Sequence, residues 1–472
     1  MGHRTAIGLA LVSALVPLQA RAQSATTLTA LKGLAPVSVL LKSPEGQAAL
    51  GANLTVTGGI QTGALRQPTL LPFAEQQQLA LRDAFITDGN AAELADGLGS
   101  SLGAAYQAKA RYETHKDFTS VSKALTDLIG YTNNVAKQDS NAGKYFFANA
   151  TTNGREPVSP AAGAILTANG GTTDVFGRAY GRLAGSPGAD AFGNSRPFQT
   201  DPVLLAYRGT DYFGNPSHSL DWLRGPSQNL TDSPSFPSGH TTYGYSESVL
   251  LAILVPERYG QMITRAAEYG NNRIVVGAHY AMDVIGGRAV ALHALAHLLA
   301  NDPAYVGQAR RNPAVINAMG GTGGEGVSIP DYPAALEAAR VDLTAFLAAS
   351  CGGPVATCAA TDTGRFKDAA ANRAFYDATQ TYGLPLVHPA TADRAVDVGR
   401  TAPEAGHLLT AAFPSLTLDE ANAILTATLG PGGGFLDDGS AFGLYSRLNL
   451  LAAGGQAAAL AATRPPAIPS KP

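Results

Sequence analysis

The chain has 472 residues, a formal net charge of −3 at neutral pH, 45% hydrophobic and 15% charged residues. That length and apolar content exclude a disordered chain. The slight acidity excludes a basic field that would draw the whole protein onto nucleic acid, while leaving room for a local cationic pocket.

In chain order, residues 1–22 read as an export signal. His3 and Arg4 form a short n-region, "AIGLALVSALVPL" an apolar h-region and "ARA" at 20–22 a small-x-small cleavage site. The apolar run is shorter than the roughly 20 residues a spanning helix needs. A periplasmic or secreted protein, cleaved near Ala22, is therefore expected. Residues 23 to about 75 show no clear periodicity. Helical patterning starts in "LLPFAEQQQLALRDAF" (70–85) and continues in "FTSVSKALTDLIGYTNNVAK" (118–137), where apolar residues recur at spacings of three and four. From about 153 to 235 turn formers dominate.

Three helical patterns follow: "TTYGYSESVLLAILV", "PERYGQMITRAAEYG" and "HYAMDVIGGRAVALHALAHLLA". Pro256 suits the first turn of the second, and Gly270 with Asn271 its C-terminal cap. The third contains Arg288, His293 and His297, and an arginine at a bilayer centre is costly, so it reads as a buried helix and not a membrane span. His293 and His297 lack a third ligand and read as helix residues. Beyond 305 the chain turns Ala- and Gly-rich. Cys351 and Cys358, in "CGGPVATC", are the only cysteines and are expected to pair in an oxidising compartment. Asp437 and Asp438 read as a turn. The organisation expected is a signal (1–22), an N-terminal helical and loop region (23–117), a core domain (118–304), a C-terminal extension (305–463) and a flexible tail (464–472).

Three short pieces carry chemistry. They are Arg196-Pro197, Pro237-Ser238-Gly239-His240 before a helix, and "NNRIVVGAHYAMD" with Arg273, His279 and Asp283. Backbone N–H groups at a helix start favour an anion, and glycine lets it approach. His279 and Asp283, four apart, share a face if helical, so the carboxylate can hold one imidazole nitrogen as N–H and free the other. Two arginines, a Ser-Gly-His turn and a His–Asp pair together form the parts of a phosphoryl-transfer site without metal.

These pieces resemble the type-2 phosphatidic acid phosphatase superfamily, whose signature is Lys-x6-Arg-Pro, then Pro-Ser-Gly-His, then Ser-Arg-x5-His-x3-Asp. Residues 234–288 most resemble the class A bacterial nonspecific acid phosphatases, including the 39-position interval between His240 and His279. The resemblance implies an all-α helical bundle and a secreted acid phosphatase that hydrolyses small phosphomonoesters. His279 would be the nucleophile, Asp283 its orienting partner and His240 the general acid. Arg196, Arg273, Ser238 and the Gly239 amide would bind phosphate. No metal or other cofactor is implied, and vanadate is expected to bind as a phosphate mimic. Neither nucleic acid nor stable membrane insertion is expected. The sequence departs from the signature twice: Asn272 replaces the serine, and the position seven before Arg196 is Ala189, not lysine. Arg182, or Arg178, is taken to supply the missing cation.

Other functions share these residues. A vanadium-dependent haloperoxidase would use His279 to ligate vanadate, although the interval between motifs disfavours it. A soluble lipid phosphate phosphatase and a non-catalytic binding protein stay open. Trp222, Tyr207 and Tyr212 are candidates for a pocket entrance, with core packing an equal alternative.

Overall fold

The computed structural model describes residues 23–65, 69–85, 90–114, 117–168, 170–201, 204, 206–221, 230–308 and 327–464. The expected signal, Trp222 and the tail beyond 464 lie outside the described residues.

The regular structure of the described residues is almost all helical, with only a short hairpin of strand, as the all-α expectation requires. Helix α1 (Ala25–Leu34) is capped by Ser24 and α2 (Pro44–Thr62) by Ser43, with Gly63 closing α2 at φ 71°. This segment showed no periodicity because α2 is rich in glycine and buries polar residues. Asn53 Oδ1 accepts from the Met282 amide at 3.0 Å and Thr57 Oγ1 from the Ala281 amide at 3.2 Å. Helix α2 thus serves partly as a cap for another helix. Helices α3 (Phe73–Arg82) and α4 (Leu102–Lys109) precede α5 (Lys123–Asn149), which starts at the cap Ser122. Short helices α6 (Pro160–Ala168), α7 (Val175–Ala179) and α8 (Pro197–Thr200) punctuate the loops that follow. A small antiparallel hairpin pairs β1 (Arg208–Thr210) with β2 (Pro216–His218).

Helix α9 (Gly239–Leu254) is buried along its whole length and packs against α5, α10 (Tyr259–Val275) and α11 (Ala281–Leu299). The cap expected at Gly270 and Asn271 is not there; α10 runs on to Val275. Gly270 answers to packing instead: a Cβ would stand 3.0 Å from Val284 and 3.3 Å from Thr241, so it lets three helices close together. Helix α11 is long and apolar enough to cross a bilayer, yet 94% of its apolar window is buried inside the protein.

The C-terminal residues wrap this bundle. One hydrophobic cluster runs from Ala30 to Ala457 and joins the N-terminal helices, α5, α9 to α11 and helices 332–351, 369–381, 418–427 and 450–462. Buried Arg288 donates to the carbonyls of Thr379, Gln380 and Ser446 at 2.8 to 3.1 Å. Cys351 and Cys358 are joined as a disulfide. Asp437 closes a turn through the Gly433 amide and Arg447. Tyr212 packs with Phe85, Tyr112 and Phe213 in a separate small aromatic cluster, and Tyr207 lies half-buried against the main core.

Candidate active site

The turn before α9 sets the site. Ser238 is its N-cap, accepting from the Thr241 amide at 3.2 Å, an arrangement that contributes about 1 kcal/mol to such a helix. The first-turn amides of Gly239 and His240 have no intrahelical acceptor and form the positive end of the helix. The turn is clamped from below: the Ser238 amide donates to the Asp283 carbonyl at 3.0 Å, and a Cβ on Gly287 would come within 2.5 Å of the Ser238 carbonyl. Only glycine permits that approach of α11 to the turn.

His279 and Asp283 meet as expected, but not as neighbours on a helix face. His279 precedes α11, and Asp283 sits in its first turn. Asp283 Oδ2 accepts from the Tyr280 amide at 2.9 Å, from Ser235 Oγ and from His279 Nδ1 at 3.1 Å. Arg196 Nη1, which can only donate, lies 3.0 Å from His279 Nε2. These two contacts fix the tautomer: the proton is on Nδ1, toward Asp283, and the Nε2 lone pair faces the cations. Arg196 is itself held by the carbonyls of Ser233 and Ala278 at 2.7 and 2.9 Å. Carbonyls position the guanidinium without neutralising it. Burial lowers Arg196 to about 10 and raises the Asp283 carboxyl to about 6.

Arg273 is buried at the end of α10, and its carbonyl accepts from the amides of Ala278 and His279. Asn272 does not face the anion site. Its side chain donates to Asp83 at 2.7 Å and accepts from Gln76 at 2.7 Å, and Asp83 also holds buried Arg265 through two bonds. The departure from serine thus ties α10 to α3.

The structure does not bring the Arg182 side chain, expected to supply the missing cation, into contact with this cluster. Among the described residues the Arg182 guanidinium makes no hydrogen bond or ion pair with this cluster; only its carbonyl takes part, accepting from Ser195 Oγ at 3.2 Å. The cation that the structure brings beside this turn is Lys144, in the last turns of α5. Its Nζ donates to the Pro234 carbonyl at 2.8 Å, and a Cβ on Gly239 would stand 3.6 Å from its Cε and 3.7 Å from Ser140 Oγ. Lys144 lies 52 positions before Arg196, with α6 and α7 between them. The sequence shows there only a lysine followed by "YFF".

The pKa shifts follow from this crowding of cations. Burial first, then Arg273, Arg196, Lys144 and Lys137, hold His240 well below the usual imidazole range. Burial, then Arg196, Lys144 and Arg273, do the same for His279. Lys144 is lowered by burial and by Arg196. Each of these shifts is the response of a site that waits for negative charge. Among the described residues no three His, Cys, Asp or Glu side chains converge as a metal site. His297 pairs with Asp302 at 2.8 Å, and His293 packs edge-on or tilted against the rings of Tyr305, Phe442 and Tyr445.

Short stretches are similar to an acid phosphatase of Zymomonas mobilis (39% identity over 71 residues) and to non-specific acid phosphatases of Providencia stuartii (36% over 72) and Salmonella typhimurium (39% over 69). Each match covers 15% of this chain and 27% to 29% of the relative, so the chain spans less than a third of the length of these curated relatives. The family match begins at residue 177, downstream of Lys144. Residues 177–304, which hold Arg196, His240, Arg273, His279 and Asp283, match the family described as the PAP2 superfamily.

Proposed function

We propose that the protein is a phosphomonoesterase that works through a phosphohistidine on His279 without a resident metal. The observation that carries this reading is the fixed His279 tautomer, with its Nε2 lone pair facing a pocket of Lys144, Arg196 and Arg273. The three cations supply the charge that a metal would otherwise provide to the phosphoryl oxygens, and the Gly239 and His240 amides add fixed dipoles. His279 Nε2 bonds to phosphorus while the bond to the leaving oxygen breaks, and His240 gives that oxygen its proton. His240 then takes a proton from water, the water oxygen bonds to phosphorus, and the N–P bond breaks to release inorganic phosphate. Asp283 holds the Nδ1 proton throughout and stabilises the positive charge that develops on the ring.

Export to the periplasm or outside the cell belongs to the same reading, supported by the N-terminal signal pattern and by the Cys351–Cys358 disulfide. Vanadate is expected to inhibit as a phosphate mimic. The test is hydrolysis of a chromogenic phosphomonoester by purified protein in EDTA across pH 4 to 8, beside His279→Ala. Activity that survives EDTA and disappears in the variant supports the reading. Activity that EDTA removes, or that the variant keeps, contradicts it.

A further inference from the structure

Three consecutive residues before the turn hold two cations and the carboxylate of the site. Ser233 accepts from Arg196 through its carbonyl at 2.7 Å and through its Oγ at 3.2 Å. The Pro234 carbonyl accepts from Lys144 Nζ at 2.8 Å and from Arg196 Nη2 at 3.4 Å. Ser235 is the third member of this strap. Its amide donates to the Asn194 carbonyl at 2.9 Å, which fixes the backbone, and its Oγ donates to Asp283 Oδ2.

The bonds on Asp283 are lopsided. Oδ2 takes three donors, which are Ser235 Oγ, the Tyr280 amide at 2.9 Å and His279 Nδ1 at 3.1 Å. Oδ1 is buried and has no partner among the described residues. Donors on a carboxylate favour its charged form, and a proton taken on Oδ1 would find no acceptor. Both effects oppose burial, which pushes the Asp283 carboxyl up to about 6. Of the three donors, one is a backbone amide and one is the nucleophile itself. Ser235 Oγ makes no other hydrogen bond among the described residues, and both it and Asp283 are fully buried. Its hydroxyl has one task, and that task is the carboxylate.

The other groups around Asp283 come from several elements. Lys144 faces it from α5, Arg196 from the segment before α8, Tyr180 from the end of α7, and His279 and Tyr280 from the approach to α11. Arg273 at the end of α10 and His240 on α9 act on its partner His279. Helix α2 brings Asn53 and Thr57, which do not titrate, to the neighbouring amides. A change at Ser235 removes none of these.

We infer that Ser235 is a positioning residue for phosphoryl transfer: its hydroxyl holds Asp283 as a carboxylate aimed at His279 Nδ1, and so sets the lower pH limit at which His279 Nε2 can attack. The inference rests on the phosphatase reading above. Once Asp283 takes a proton, the Nδ1–H of His279 loses its anionic acceptor. The positive charge that grows on the ring as Nε2 bonds to phosphorus is then unopposed.

The experiment measures kcat on a chromogenic phosphomonoester from pH 4 to 8, in the unaltered protein and in Ser235→Ala, Ser235→Gly and Ser235→Thr. Rates are referred to the folded fraction, read by circular dichroism at each pH. Loss of the hydroxyl in Ser235→Ala and Ser235→Gly should move the acid-side midpoint up by about one pH unit, the size of one lost charge-assisted hydrogen bond. The loss should then be about tenfold at pH 5 and less than about threefold at pH 7.5. Ser235→Thr keeps a hydroxyl and should keep the midpoint. A merely structural role would lower kcat by one factor at every pH. An unmoved midpoint in Ser235→Ala and Ser235→Gly, or a folded Ser235→Thr shifted as far as they are, overturns the role of Ser235 and leaves the phosphatase reading standing. Absence of hydrolysis by the unaltered protein at every pH overturns both.

Discussion

At the scale of single residues the site is held together by what each polar atom can and cannot do. Arg196 has no acceptor, so its contact with His279 Nε2 forces the proton onto Nδ1, where Asp283 receives it. Removing that arrangement by His279→Ala should lower kcat by at least about a thousandfold, as losses of nucleophiles do. Lys144→Met should lower kcat/KM by about a hundredfold, and Lys144→Arg should recover part of it, while Arg182→Ala changes it less than about twofold. Steady-state kinetics on one phosphomonoester separates these three; a larger loss in Arg182→Ala than in Lys144→Met would return the cation to the loop. Both histidines are held low in the free protein by burial and cations. A bound dianion lifts that penalty, so binding should take up a proton. Calorimetry of sulfate binding near pH 6, in buffers of different ionisation enthalpy, should show net uptake, lost in His240→Ala. Sulfate does not itself titrate there, and net release would contradict the account.

At the scale of elements, the turn at 236–240 depends on how closely α11 approaches it. Gly287→Ala would place a Cβ 2.5 Å from the Ser238 carbonyl. The expected cost is about 1 to 3 kcal/mol, with activity falling further because Gly239 and His240 move with the turn. Thermal unfolding beside kinetics checks both; a variant with unchanged stability and rate would contradict the clamp. Helices α9, α10 and α11 were legible in sequence because they combine local signals, such as Ser238 and Pro256, with long apolar patterns. Helix α2 was not, because its buried Asn53 and Thr57 serve the start of α11, a tertiary purpose with no local period. Gly270 misled for a similar reason, since a glycine needed for close packing looks like a cap. Lys144 was missed because a long insertion separates it from Arg196, and spacing within a motif cannot find a residue that only folding brings back.

At the scale of the whole molecule, the C-terminal residues are part of the fold that supports the site. Arg288, on the helix that begins beside His279, donates to three carbonyls from beyond residue 370, and Arg258 pairs with Asp362 at 2.7 Å. Ending the chain at 304 should therefore leave a buried charge unsatisfied and give insoluble or unfolded protein, as judged by expression and circular dichroism. Stability should also depend on pH. His240, His279 and His293 are held well below the usual value, so the unfolded chain gains protons first as pH falls through about 6.5, and stability drops from there at about 1.4 kcal/mol per unit for each. Below about 6, Asp190 and Asp283 take protons in the folded state first and offset part of that loss. Unfolding temperature should then fall between pH 7.5 and 6 and flatten below; a rise over the first interval would contradict these assignments. The central claim is that His279 becomes a phosphohistidine. Its most direct measurement is rapid quenching of the protein with a labelled phosphomonoester into base, followed by mass spectrometry of the labelled peptide. The account predicts phosphate on His279, stable to base, released by acid and absent from His279→Ala. Turnover with no label on any histidine, or label on His240 instead, would contradict it.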